Sequence, residues 1–140
     1  MSLVKEIMLG MEIHLFIIWS KANYERKNIL SDIDSRFTIL DIYNISWVKN
    51  KFSENLSRLY GESLPKNSNK EQHCGNDTFT CVIVRDENPL YKPRQTSKGI
   101  RVVNVNLFDA KKIYRSWTGG GHKIHATDNI EETRMQLMLL

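Results

Sequence analysis

The sequence predicts an α/β (α+β) domain in which helices cover an antiparallel sheet, on three observations. Stretches with the two-residue period of strands alternate with stretches of helical period from residue 12 to the end. Helix-capping and turn residues fall at the joins. No repeat, low-complexity tract or linker divides the 140 residues, a length that suits one core.

The elements follow in order. EIHLFIIW (12–19) is a short run of β-formers, apolar on both faces toward its end, and reads as a central strand. In 21–37, Tyr24, Ile29, Leu30, Ile33 and Phe37 recur at helical spacing between charges, an amphipathic helix. TILDIYNISW (38–47) alternates and reads as a second strand. In 48–62, Phe52, Leu56, Leu59 and Tyr60 return to helical spacing, and Gly61 is placed to cap the C-terminus. Residues 63–78 have turn composition and no period, which reads as a long loop. FTCVIVRD (79–86) is a third strand. Residues 87–100, with two prolines, read as a loop, and RVVNVNLF (101–108) as an additional strand or the lead into a helix. DAKKIYRSW (109–117) is a short helix with Asp109 as its N-cap, ended by TGGG. HKIHA (122–126) is a last short strand, and 127–140 a closing helix. The β-α-β-β-α-β skeleton is that of a ferredoxin-like sheet covered on one side by helices. Residues 1–11 read as an N-terminal extension or a cloning remnant, and 12–140 as the single domain.

Bulk properties narrow the function classes. With 41% apolar and 26% charged residues, disorder and coiled coil are poor descriptions. No apolar run reaches the roughly 18 residues of a membrane span, and no secretory h-region is present. A net charge of +4, densest from Lys92 to Arg115, suits an anionic ligand better than a long nucleic-acid track. Cys74 and Cys81, seven apart, make neither CxxC nor half a zinc ribbon, and Cys81 within FTCVIV reads as a buried thiol. A reducing cytoplasm is therefore expected. The apolar end TRMQLMLL either packs into the core or belongs to a longer chain.

GGGHKIHATDNIEET (119–133) carries the chemistry. In a strand, His122 and His125 point to opposite faces and are poor joint metal ligands. His125 stands just before a helix start where Asn129 can cap, with Glu132 three residues on in a capping-box arrangement. A helix N-terminus attracts phosphate, glycines let backbone approach a ligand, and an imidazole there can accept a phosphoryl group or carry a proton.

HKIHATDNIEET followed by an apolar helix resembles the signature of nucleoside diphosphate kinases: asparagine, two residues, then histidine-glycine-serine-aspartate-serine before a helix. The resemblance places His125 at the phosphohistidine position and Ala126 to Asn129 at the residues after it. It puts Lys21, with Phe37 sixteen residues on, at the phosphate-contacting lysine that ends the first strand. Phe52, Leu56 and Tyr60 fall where the family clamps the base, which makes Phe52 and Tyr60 base-stacking candidates. Arg94, Arg101 and Arg115 lie in the interval of the family's phosphate-binding arginines. Thr127 and Asp128 would hold the helix start in shape, with His122 as a further supporting residue. Magnesium would accompany the nucleotide. The departures are His122 for asparagine, a residue near Gln136 for glutamate, and Ala22-Asn23 for proline-aspartate. The resemblance thus implies a nucleotide-binding phosphotransferase acting through a histidine. The departures motivate an alternative, a non-catalytic module that binds a nucleotide or another phosphorylated small molecule. No membrane partner or strong nucleic-acid signal is expected; a homo-oligomer is a further expectation. HAT (125–127) lacks the second copy that two-histidine phosphoesterases need, and Trp19, Trp47 and Trp117 read as packing residues.

Overall fold

The computed structural model describes residues 10–140; the expected extension at 1–11 lies, but for its last two residues, outside the described residues. Strand β1 (Glu12–Ile18) leads through a 3-10 turn (Ser20–Glu25) into α1 (Arg26–Arg36) and β2 (Thr38–Ile45). A second 3-10 turn (Lys49–Lys51) opens α2 (Phe52–Tyr60), followed by α3 (Asn69–Cys74) and β3 (Phe79–Asp86). A hairpin, β4 (Tyr91–Thr96) and β5 (Gly99–Asn104), precedes α4 (Val105–Trp117), β6 (Ile124–Ala126) and α5 (Ile130–Leu139). The main sheet runs β2-β3-β1-β6 with every pairing antiparallel, which is the ferredoxin-like order. The hairpin forms a separate two-stranded sheet.

β1 is buried along its whole length, and its alternation divides the core in two. Phe16 and Ile18 join Val82 and Val84 of β3 under Ile29 and Ile33 of α1 and Leu107, Ala110 and Tyr114 of α4. Leu15, Ile17 and Trp19 face the other way, with Phe52, Leu56 and Leu59 of α2, Cys74, Phe79 and Cys81. Helices therefore cover both faces of the sheet, not one. The two-sided apolarity of EIHLFIIW already demands that second layer. Leu137 and Leu140 of the C-terminal segment pack on this second cluster, while Met138 is 84% exposed.

Several boundaries depart from expectation for local reasons. The helix expected from 21 begins at Arg26, after the 3-10 turn, and Tyr24 is exposed instead of lining its apolar stripe. Within the expected 63–78 loop, Ser68 caps α3 by accepting from the Glu71 N–H at 3.2 Å. The expected 87–100 loop holds β4; its Pro93 is tolerable because a two-stranded ribbon has only edge strands. α4 starts four residues before Asp109: Asn104 is its N-cap, its side-chain oxygen accepting from the Asn106 N–H at 2.9 Å. Gly61 does end α2, in the left-handed conformation at φ +64°.

Candidate functional site

β6 lies beside β1 with His125 opposite Ile17, so the imidazole joins the face of the sheet that carries α2 and Trp19. α5 then turns back over the same face. Its start is fixed by Asn129, whose side-chain oxygen accepts from the Glu132 N–H at 2.9 Å, while the Glu132 carboxylate accepts from the Asp128 N–H at 3.1 Å. This return brings Gln136 to the ring, with Nε2 of His125 and Oε1 of Gln136 2.7 Å apart. The other end of the Gln136 amide donates to the Leu59 carbonyl at 3.3 Å, which orients it with oxygen toward the imidazole. Nε2 therefore carries the ring hydrogen and Nδ1 holds the lone pair. Nδ1 makes no hydrogen bond among the described residues. Tyr60 meets the ring edge-on at 5.0 Å between centroids.

His125 is only 6% exposed. Burial, then the nearby positive charges of Lys111, Arg115 and Lys70, lower its pKa to about 3 against the partial opposition of the Gln136 bond. The ring is thus an uncharged imidazole at neutral pH, set among cations. Lys111 and Arg115 stand one turn apart on α4, so one helix face delivers both. Arg115 Nε donates to the Ile124 carbonyl at 2.8 Å, and the Lys111 ammonium lies 3.7 Å from the Asp128 carboxylate. Burial lowers the pKa of both cations. Lys70 of α3 lies over the Tyr60 ring at 4.1 Å from its centroid.

A second group gathers where β1 ends. Gly119, Gly120 and Gly121 all have φ near +80°, a conformation that costs other residues, so the triplet is required by the backbone itself. The His73 ring sits against Gly121 and stacks on His122 at 5.6 Å between centroids. Burial, together with Lys70, Arg115 and His73, lowers the His122 pKa. Cys74 Sγ donates to the His122 carbonyl at 3.4 Å, and burial pushes that thiol up to about 12. Gly75, at φ +79°, is held against Ser20 and Lys21: a Cβ there would stand 2.4 Å from the Ser20 hydroxyl and 2.8 Å from Lys21 Cγ. Lys21 is exposed at this end of the sheet.

The remaining candidates are placed as follows. Arg115 alone of the three arginines joins His125. Arg94 forks onto the Asp109 carboxylate at 3.1 and 3.0 Å, and Arg101 is exposed opposite it on the hairpin. Phe52 is fully buried between Trp19 and Trp47, which corrects its reading as a base-stacking side chain. Tyr60 walls the histidine, and its hydroxyl accepts from Trp19 Nε1 at 3.2 Å. The Thr127 hydroxyl, fully buried, bonds His14 Nδ1 at 2.8 Å, the Leu15 N–H at 3.2 Å and the Thr133 hydroxyl at 3.0 Å, tying the β6–α5 connection to β1. On its far nitrogen His14 meets Glu12 at 2.8 Å, within a buried network that includes Asn104 and Asp86. Sequence reasoning missed this network, Lys70 and Lys111. The four-residue spacing of Lys111 and Arg115 was the available signal for the last.

Fold and site together define an α/β domain of ferredoxin-like order whose last strand carries a buried, uncharged histidine. Solved structures of similar architecture include nucleoside diphosphate kinases. The enzyme from Aquifex aeolicus is 15% identical with a TM-score of 0.58, covering 92% of this chain and 94% of that one. The enzyme from Encephalitozoon cuniculi is 12% identical with a TM-score of 0.54, covering 91% and 86%. This chain thus has the fold of a nucleoside diphosphate kinase. No protein-family model matches it, and no curated protein does.

Proposed function

We propose that this chain is a nucleotide-binding phosphotransferase that passes a phosphoryl group through His125. The observation that carries the reading is the fixed ring: Nε2 is held by Gln136 and Nδ1 is left with its lone pair, in the electrostatic field of Lys111, Arg115 and Lys70. Nδ1 would bond to the terminal phosphorus of a nucleoside triphosphate. The bond from that phosphorus to the bridging oxygen would break, its electron pair leaving with the diphosphate. Transfer to a second diphosphate reverses these steps. Such chemistry is mostly positioning and charge neutralisation, which the cations supply. Lys21, exposed at the same end of the sheet, would meet the outer phosphates. Magnesium, accompanying the nucleotide, would supply charge neutralisation at its phosphates. The cytoplasm, with its nucleotide pool, is the compartment that suits this activity.

Incubation with terminally labelled ATP should give an acid-labile, base-stable label on the protein. His125→Asn, checked for native circular dichroism, should lose it. No label with any nucleotide would sink the phosphotransferase reading. The neutral Gln136 beside a ring 6% exposed favours one second reading, a module that binds a phosphorylated small molecule without turnover. That reading expects a ligand-dependent rise in melting temperature with no label.

A further inference from the structure

We propose that the β4–β5 hairpin is a docking surface for an anionic lipid bilayer. Residues 91–104 contain four of the chain's 20 basic side chains and none of its 16 acidic ones, so the rest of the chain balances at 16 of each. The whole net charge of +4 is thus concentrated on one ribbon. Arg94 is engaged by Asp109, while Lys92, Lys98 and Arg101 are exposed.

The register sorts the two faces. Lys92–Val103 and Arg94–Arg101 are opposed pairs on one face, the one whose Val103 is buried and whose Arg94 meets α4. Pro93–Val102 and Gln95–Ile100 are the pairs on the other. Toward the tip this outer face is open: Ile100 is 74% and Val102 63% exposed. An apolar face outward, with Lys98 at the turn and Lys92 and Arg101 exposed on the opposite face, is the amphipathic pattern of a peripheral membrane contact. The side chains enter the acyl boundary while lysine and arginine reach the headgroups. No helix among the described residues is long and apolar enough to cross a membrane, so the attachment would be peripheral.

Two other occupants fit less well. A nucleic acid asks for cations or stacking planes on the face presented to it, and Pro93, Gln95, Ile100 and Val102 offer neither. A second copy meeting this hairpin across a two-fold axis would set like charges against each other.

The test is co-sedimentation of the full chain with phosphatidylcholine vesicles, with and without phosphatidylserine, at low and high salt. Binding is expected only to the anionic vesicles and should fall with salt. Lys92→Gln/Lys98→Gln/Arg101→Gln should weaken it about fivefold for each cation removed. Ile100→Ser/Val102→Ser should weaken it about tenfold or more at unchanged charge. Both variants alter exposed side chains, and equal melting temperatures would confirm the fold. As an independent readout, Ile100→Trp should add blue-shifted emission on anionic vesicles. The proposal is overturned by binding that ignores Ile100→Ser/Val102→Ser. Tighter binding to a DNA or RNA duplex than to vesicles would also overturn it, as would an apolar variant that changes only the protein's mass in sedimentation equilibrium.

Discussion

Burial and three cations keep the His125 ring uncharged to about pH 3, whereas an unfolded chain protonates its histidines near pH 6.5. Between those values the unfolded state binds the extra proton, so stability must fall as pH falls through this window. The slope is about 1.4 kcal/mol per pH unit for one such group. Urea titrations from pH 7 to pH 4 should show this loss in wild type and a shallower one in His125→Gln. In the proposed transfer, Gln136 would tune the ring's reactivity by the same electrostatics. Bonding phosphorus to Nδ1 would put positive charge on a ring whose Nε2 is met by a neutral amide. Gln136→Glu would offer a carboxylate to that charge, and a charge-assisted bond is roughly twice as strong as a neutral one. Phospholabelling of Gln136→Glu should therefore run about tenfold faster than wild type; an unchanged or slower rate would remove Gln136 from the transfer step. Phe52 tests the opposite kind of role. Sealed between two tryptophans, it should cost about 3–5 kcal/mol when cut to alanine, seen in melts without any nucleotide.

At the scale of elements, two contacts hold the site's frame. Asn129→Ala removes the α5 cap and should cost about 1 kcal/mol, with Gln136 loosened from the ring as a consequence. Gly75→Ala should cost more, because its φ of +79° and the collision with Ser20 and Lys21 act together. Chemical denaturation of both variants orders the two effects. The contrast also explains what was legible in the sequence. Strands such as 79–86 and the Asn129 cap follow from period and local hydrogen bonding, which a sequence carries on its face. The true start of α4 was not legible, because Asn104 and Asp109 are both acceptable caps. Asn104 prevails through its buried bonds to Glu12 and Asp86, and Asp109 is drawn to Arg94 by the hairpin. β4 hides in the sequence because Pro93 and its polar neighbours mask the alternation of an exposed ribbon, whereas the alternation of β5 shows in RVVN.

At the scale of the molecule, the histidine and its glutamine were visible in one segment of sequence, but its cations come from α3 and α4 and only the fold assembles them. The fold also fixes which surfaces remain open. β6, one edge of the main sheet, is three residues long and packed against α4, whereas β2, the other edge, is eight residues long with no strand beyond it among the described residues. Leu40 and Ile42 are each 40% exposed there and Tyr43 48%. An open, apolar edge of this length is a template for another strand. The register shift between Ile39 and Asp41 disrupts its first half, so pairing would centre on Ile42 to Ile45. A two-fold, antiparallel β2–β2 contact between two copies satisfies these constraints, and it gives the homo-oligomer reading a definite surface. Sedimentation velocity should then find a dimer that Ile42→Lys converts to monomer, by setting two like charges across the axis. Vesicle binding through the hairpin should survive that change. A monomer at every concentration, or a dimer indifferent to Ile42→Lys, would leave β2 as an edge guarded by its bulge and by Asp41 alone.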